Sequence, residues 1–235
     1  MSQQQYGDFI RGRLLFIEQY CAEHKMDFES VIRNIEEDAR RRIDSDEKKQ
    51  LILRQFFEGA GGADSTIPSW VDRVFLEATS QVLKGCQSPL YTTTSRLPCI
   101  PFEAARFNAK RQADTIFRTM FKDKTPEEWI RWSFPAVYRK CYGETAARKL
   151  KIVEFSSQHF GVITDNTGLE KASRIDCSTV IGYICGALEQ LGAGEITITH
   201  KSCLAEAPSG QKICTFDAMF EFPARHSDPF RKQLR

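Results

Sequence analysis

Four side chains in the C-terminal third carry the clearest chemical signal of this 235-residue sequence: Cys177, His200, Cys203 and Cys214. From Glu195 to His200 apolar and polar residues alternate strictly, the pattern of a half-buried strand, so His200 shares the inward face with Ile196 and Ile198. Cys177 lies on the apolar stripe of the preceding helical segment, and Cys214 shares a strand face with Phe216. His200 and Cys203 bracket a turn that offers two donors from one strand end. Three thiols and an imidazole, drawn from one helix and one hairpin, suit tetrahedral zinc in a structural role, because four protein ligands leave no open position for a catalytic water. The spacing is not the paired Cys-x-x-Cys signature. The same residues therefore also read as buried thiols beside a satisfied core histidine.

The elements that must position these donors follow from periodicity. Residues 1–85 read as helices: one segment holds Phe9, Leu14, Phe16, Ile17 and Tyr20, and a second starts at Asp27, a residue that accepts hydrogen bonds from first-turn amides. The second helix carries Glu36 and Glu37 four residues ahead of Arg40 and Arg41, pairs that mark a solvated face. A third covers Asp46 to Phe57, and the glycine run 59–62 breaks the pattern before a helix from Trp70 to Gly85. Gly85 is the expected boundary between a helical N-terminal region (1–85) and an α+β domain (86–225).

Within that second part, prolines 89, 98 and 101 and the threonines at 92–94 read as loop or edge strand. Helical spacing resumes from Phe102 to Phe121. Thr125-Pro126-Glu127-Glu128 is a capped helix start, with Pro135 kinking or restarting the helix that follows. Leu150 to Phe155 and Phe160 to Ile163 read as strands, Asp176 to Leu191 as a helix closed by Gly192 and Gly194, and Ile213 to Phe222 as a further alternating strand. The expected fold class is α+β: N-terminal helices followed by an antiparallel sheet packed against helices.

Lysines and arginines (33) nearly balance acids (31), so net charge gives no reason to expect nucleic acid or an anionic membrane as partner. The N-terminus lacks the apolar core of a signal peptide and no segment has the roughly 18 apolar residues of a membrane span. Eight cysteines are too few for a disulfide scaffold of this length, which points to thiols in a reducing cytoplasm. Cys99 is read as an inert thiol in a loop. Phosphate-binding glycine loops, dinucleotide fingerprints, Gly-x-Ser-x-Gly and His-Glu-x-x-His are all missing from the sequence, so no enzyme is expected.

Gly182-Tyr183-Ile184-Cys185-Gly186-Ala187, Gly192, the run from Glu195 through His200 and Cys203 to Glu206, and Lys212-Ile213-Cys214-Thr215-Phe216 together resemble the 4-vinyl reductase domain family. The likeness spans about residues 150–222. It implies a fold shared with TRAPP-type vesicle-tethering subunits and, more loosely, with haem nitric-oxide-binding domains. It also implies a zinc held by a helix cysteine, a Glu-x-x-Cys and a final strand cysteine: Cys177, Cys203 and Cys214 match, and His200 stands where the family has glutamate. The family's ligand pocket lies between helices and sheet, which nominates Phe102, Phe107, Phe117, Trp129, Trp132, Phe134, Tyr138, Phe155, Phe160 and Tyr183 here. Tyr91 to Arg96 resembles the Tyr-x-Ser-x-Arg haem clamp out of register, with no axial histidine on a helix before it, so haem is not expected.

The resulting expectation is a bacterial cytoplasmic, sensor-type protein that holds a small apolar or aromatic molecule and a structural zinc. Its output would run through a homodimer or through a protein partner on the N-terminal helices. Two alternatives stand beside it: an interaction subunit similar to the tethering proteins, and an enzyme of tetrapyrrole or aromatic metabolism.

Overall fold

The computed structural model describes residues 4–43, 46–57, 66–83, 99–165, 174–202 and 213–221. A short strand β1 (Gln4–Tyr6) leads into α1 (Gly7–His24), followed by α2 (Phe28–Arg41) and α3 (Glu47–Phe57). Strand β2 (Thr66–Pro68) returns to pair antiparallel with β1, a ribbon that the sequence pattern did not suggest, and α4 (Ser69–Val82) follows it. Asp27 caps α2 by accepting from the Ser30 amide, and Glu36 and Glu37 pair with Arg40 and Arg41 on its solvated side.

The second half begins with α5 (Cys99–Asp114), α6 (Arg118–Phe121) and α7 (Pro126–Glu128). Thr125 and Glu128 close a reciprocal capping box at α7, as the sequence predicts. A π-helical turn (Trp129–Ser133) then runs without a break into α8 (Phe134–Ala147), with Pro135, which has no amide to donate, directly after the turn. Strands β3 (Leu150–Ser156) and β4 (His159–Asp165), helix α9 (Arg174–Gln190), and strands β5 (Ile196–Ser202) and β6 (Ile213–Phe220) complete the chain. The sheet is antiparallel in the order β3-β4-β6-β5. The fold is thus α+β, with helices on the inner face of a four-stranded sheet.

That inner face is apolar because alternation places Phe160 and Val162 on it from β4, Ile198 and His200 from β5, and Cys214, Phe216, Ala218 and Phe220 from β6, all buried. These join α5, α8 and α9 in one core, to which α1 contributes Phe9. A second core joins α1 through Phe16, Ile17 and Cys21 to α2, α3 and α4, with Ile100 of α5 and Ile175 of α9. Helix α1 therefore spans both cores. Helices α5 and α9 meet almost backbone to backbone. A Cβ at Gly182 would lie 2.2 Å from the Phe102 carbonyl oxygen, and one at Gly186 2.2 Å from that of Arg106.

Candidate functional site

Between α1, α8 and α9 the side chains leave a narrow cleft whose free volume is about 10 Å³, room for about one water. Its lining is aromatic and aliphatic: Phe9 from α1, Phe134, Val137, Tyr138 and Tyr142 from α8, and Val180 and Tyr183 from α9, with the Cys141 thiol among them. The rings touch in series. Phe9 stacks on Tyr183 at 5.8 Å between centroids and tilts against Tyr142 at 6.3 Å, Tyr142 lies 4.6 Å from Tyr138, and Tyr138 meets Phe134 edge-on at 5.9 Å. Trp129 continues the series 5.5 Å from Phe134. Burial pushes the Cys141 thiol and the Tyr138, Tyr142 and Tyr183 phenols up from their ordinary values, so all four stay protonated at neutral pH.

Polar groups close one end of the cleft. The Tyr183 hydroxyl donates to Gln112 Oε1 at 2.8 Å, Gln112 Nε2 donates to Asp8 at 2.7 Å, and Asp8 also pairs with Arg111. One turn beyond Phe9 on α1, Arg13 is fully buried, with its guanidinium carbon 5.7 Å from the centre of the Phe9 ring and Nε 3.4 Å from Asp72 of α4.

The sequence places Phe134, Tyr138 and Tyr183 in a pocket, and all three line this cleft. The other nominated aromatics lie elsewhere. Phe102, Phe117, Trp129 and Phe160 are core residues, and Phe107 packs partly buried against the N-terminal core. Trp132 is 67% exposed, since the π-helical turn rotates it outward while Trp129 takes the inner position. Phe155 is 58% exposed: it stands on the outer side of edge strand β3 and lies over Gly161, its ring 4.6 Å from that of His159. Phe9, Arg13, Val137, Cys141, Tyr142 and Val180 carry no pocket assignment from sequence. The one sequence signal for them was an arginine placed four residues after Phe9 on an otherwise apolar helix face.

The second candidate site lies under the sheet. Cys177 in the first turn of α9, His200 of β5 and Cys214 of β6 are all buried, and their donor atoms lie within 4.8 Å of one another. The two sulfurs are 3.4 Å apart and the His200 ring stacks on Phe216 at 4.9 Å. The structure thus brings together three of the four donors expected from sequence; Cys203 lies outside the described residues, as do Cys86, the run 91–96 and Phe222. Cys21, Cys141 and Cys185 are buried thiols, and burial together with the nearby Glu189 carboxylate pushes Cys185 up to about 12. Cys99 departs from expectation: it heads α5 and is disulfide-bonded. Among the described residues, no helix is long and apolar enough to cross a membrane.

No family model and no curated protein sequence matches the chain. Solved structures do match. An Fe(II) unliganded H-NOX protein mutant from K. algicida shares the fold at a TM-score of 0.55 with 11% identity, covering 92% of this chain and 96% of that one. A structure from a study of haem distortion in the H-NOX family matches at 0.54 with 12% identity, covering 91% and 94%. The architecture is therefore the H-NOX fold. This corrects the cofactor expectation drawn from sequence, which set haem aside and chose zinc: the fold is one on which haem is carried.

Whether haem suits this chain turns on its own residues. The donors that reach the cleft, a thiol and three phenols, are of types that ligate haem iron, yet burial keeps them protonated, and among the described residues no imidazole lines the cleft. With the rings in these contacts the free volume of about 10 Å³ is far below the roughly 300–1,000 Å³ of ordinary ligand sites, so the side chains must part before any molecule larger than water enters. As arranged, these residues do not fit a macrocycle.

Proposed function

We propose that this chain is a ligand-binding, sensor-type protein whose cleft between α1, α8 and α9 takes a small, largely apolar molecule. The observation that carries the reading is the cleft itself, where aromatic and aliphatic side chains converge with a few polar groups at one end. Helix α1 supplies the route for output, since Phe9 lines the cleft while Phe16 and Ile17 are core residues of the N-terminal helices. A ligand that shifts Phe9 shifts the seat of α2 and α4, and with it a surface for a protein partner or a second copy. The likeness of residues 150–222 to the 4-vinyl reductase family supports the same reading.

Cys177, His200 and Cys214 are assigned within this proposal to a thiophilic metal ion that ties α9 to β5 and β6. A second reading, an interaction subunit without a working ligand, is favoured by the exposed Trp132 and Phe155. Native mass spectrometry and an absorbance spectrum of the purified protein separate these possibilities. A retained small molecule, or uptake of toluene that the cleft-filling variant Val137→Trp abolishes, is the expected result. A Soret band would give the cleft to haem, and no uptake by wild type would favour the interaction subunit. Elemental analysis tests the metal assignment, which fails if wild type and Cys214→Ser carry the same trace content.

A further inference from the structure

Arg13 has an environment unlike that of the other charged side chains around the cleft. It is 0% exposed, and among the described residues its charge is met only by Asp72, through a single Nε contact at 3.4 Å, long for a charge-assisted bond. Among the described residues Nη1 and Nη2 have no hydrogen-bond partner. Leaving two cationic N–H groups buried and unmet is costly, and evolution usually removes such groups unless something meets them.

The guanidinium stacks over Phe9, a lining residue, and lies close enough to Cys141 and Tyr142 for its charge to oppose the burial that pushes both groups up. The unmet nitrogens thus lie behind the Phe9 ring, in the layer that backs the cleft and not in its lining. The other acids nearby are engaged: Asp8 by Arg111 and Gln112, and Asp72 by Arg13 Nε. Two parallel N–H groups match the two oxygens of a carboxylate better than any single acceptor.

We propose that the cleft's ligand is a small apolar carboxylate, of about one aromatic ring, held by Arg13 through Nη1 and Nη2 with its ring among Phe9, Val137, Tyr142 and Val180. The aromatic series parts to admit it, and Arg13 supplies selectivity for the acid over neutral molecules of the same shape. This inference rests on the cleft reading above and adds the ligand's charge to it.

The test is a thermal-shift and calorimetric titration of the intact protein with benzoate, benzamide and toluene. Benzoate should bind at least about tenfold more tightly than benzamide, the difference expected for one charge-assisted pair. In Arg13→Met that preference should vanish while toluene still binds. Should Arg13→Met fail to fold, Asp72→Asn decides: releasing Nε and removing the competing carboxylate should tighten benzoate, and unchanged or weaker binding would overturn the proposal. Equal binding of benzoate, benzamide and toluene sinks the carboxylate assignment but leaves the cleft reading standing. Failure of all three to bind removes the cleft reading itself.

Discussion

Helix α9 packs against two neighbours in opposite styles. Toward α5 it presents Gly182 and Gly186, so the two backbones approach until any added Cβ would overlap a carbonyl oxygen. Along that seam Arg106 reaches both Glu103 and Glu189 and Gln112 bridges Asp8 and Tyr183, while the buried Ser178 hydroxyl and Asn108 Nδ2 have no hydrogen-bond partner among the described residues. Toward α8 and α1 the same helix presents Val180 and Tyr183 to a cleft of loosely stacked rings, beside an arginine with two unmet nitrogens. A close-packed seam holds a fold together. An incompletely filled, incompletely satisfied one is where a ligand can add contacts that the protein lacks.

Substitutions can break that contrast. Gly186→Val should be the most damaging, costing about 3 kcal/mol or more, because backbone atoms on α5 cannot swing aside as a side chain can. Chemical denaturation would show it, and a cost under about 1 kcal/mol would mean the seam is not close-packed. Tyr183→Phe should cost about 1–2 kcal/mol, since it leaves the buried Gln112 oxygen without its donor, although the ring and the cleft stay the same shape.

The Glu189 carboxylate gives the seam a pH signature. Burial pulls its value up, but hydrogen bonds from Arg106 and Lys110 outweigh it and hold the group below its ordinary 4.5. A depressed carboxylate stabilises the fold above its unfolded value and ceases to do so as pH falls through the folded one. The stability difference between wild type and Glu189→Gln should therefore be full at pH 7 and shrink as pH falls below about 4.5; a gap that stayed constant throughout the acid range would show that Glu189 acts by packing alone.

The smallest effect belongs to the cleft. Val137→Ile adds one methylene at the lining of the cleft, beside its small free volume, and should change stability by less than about 1 kcal/mol, in either direction. A small-to-large change is thus tolerated at the cleft and ruinous at the seam with α5.

Much of this was legible in the sequence. Strict alternation over Glu195–His200 and Ile213–Phe220 fixed the inward faces of β5 and β6, and with them the meeting of His200 and Cys214 beneath α9. Local cap chemistry at Asp27 and Thr125 marked helix starts to the residue. The cleft was read less well, because its walls come from three helices far apart in the chain. A phenylalanine count does not distinguish Phe134, which lines it, from Trp132, which a π-helical turn rotates into solvent. The ribbon between β1 and β2 was also invisible, since three-residue strands carry no periodicity. The kinship with haem nitric-oxide-binding domains was legible through the resemblance over residues 150–222, but the out-of-register clamp at 91–96 and the missing helix histidine led to haem being set aside, and the architecture at 11–12% identity brings it back.

The central claim, that the space between α1, α8 and α9 is a ligand site, is tested most directly by a crystal structure of the protein soaked with iodobenzene. The account expects an anomalous iodine peak among Phe9, Val137, Tyr142 and Val180, with the aromatic series parted around it. Iodine bound only at the surface, with those side chains in their present contacts, would contradict it.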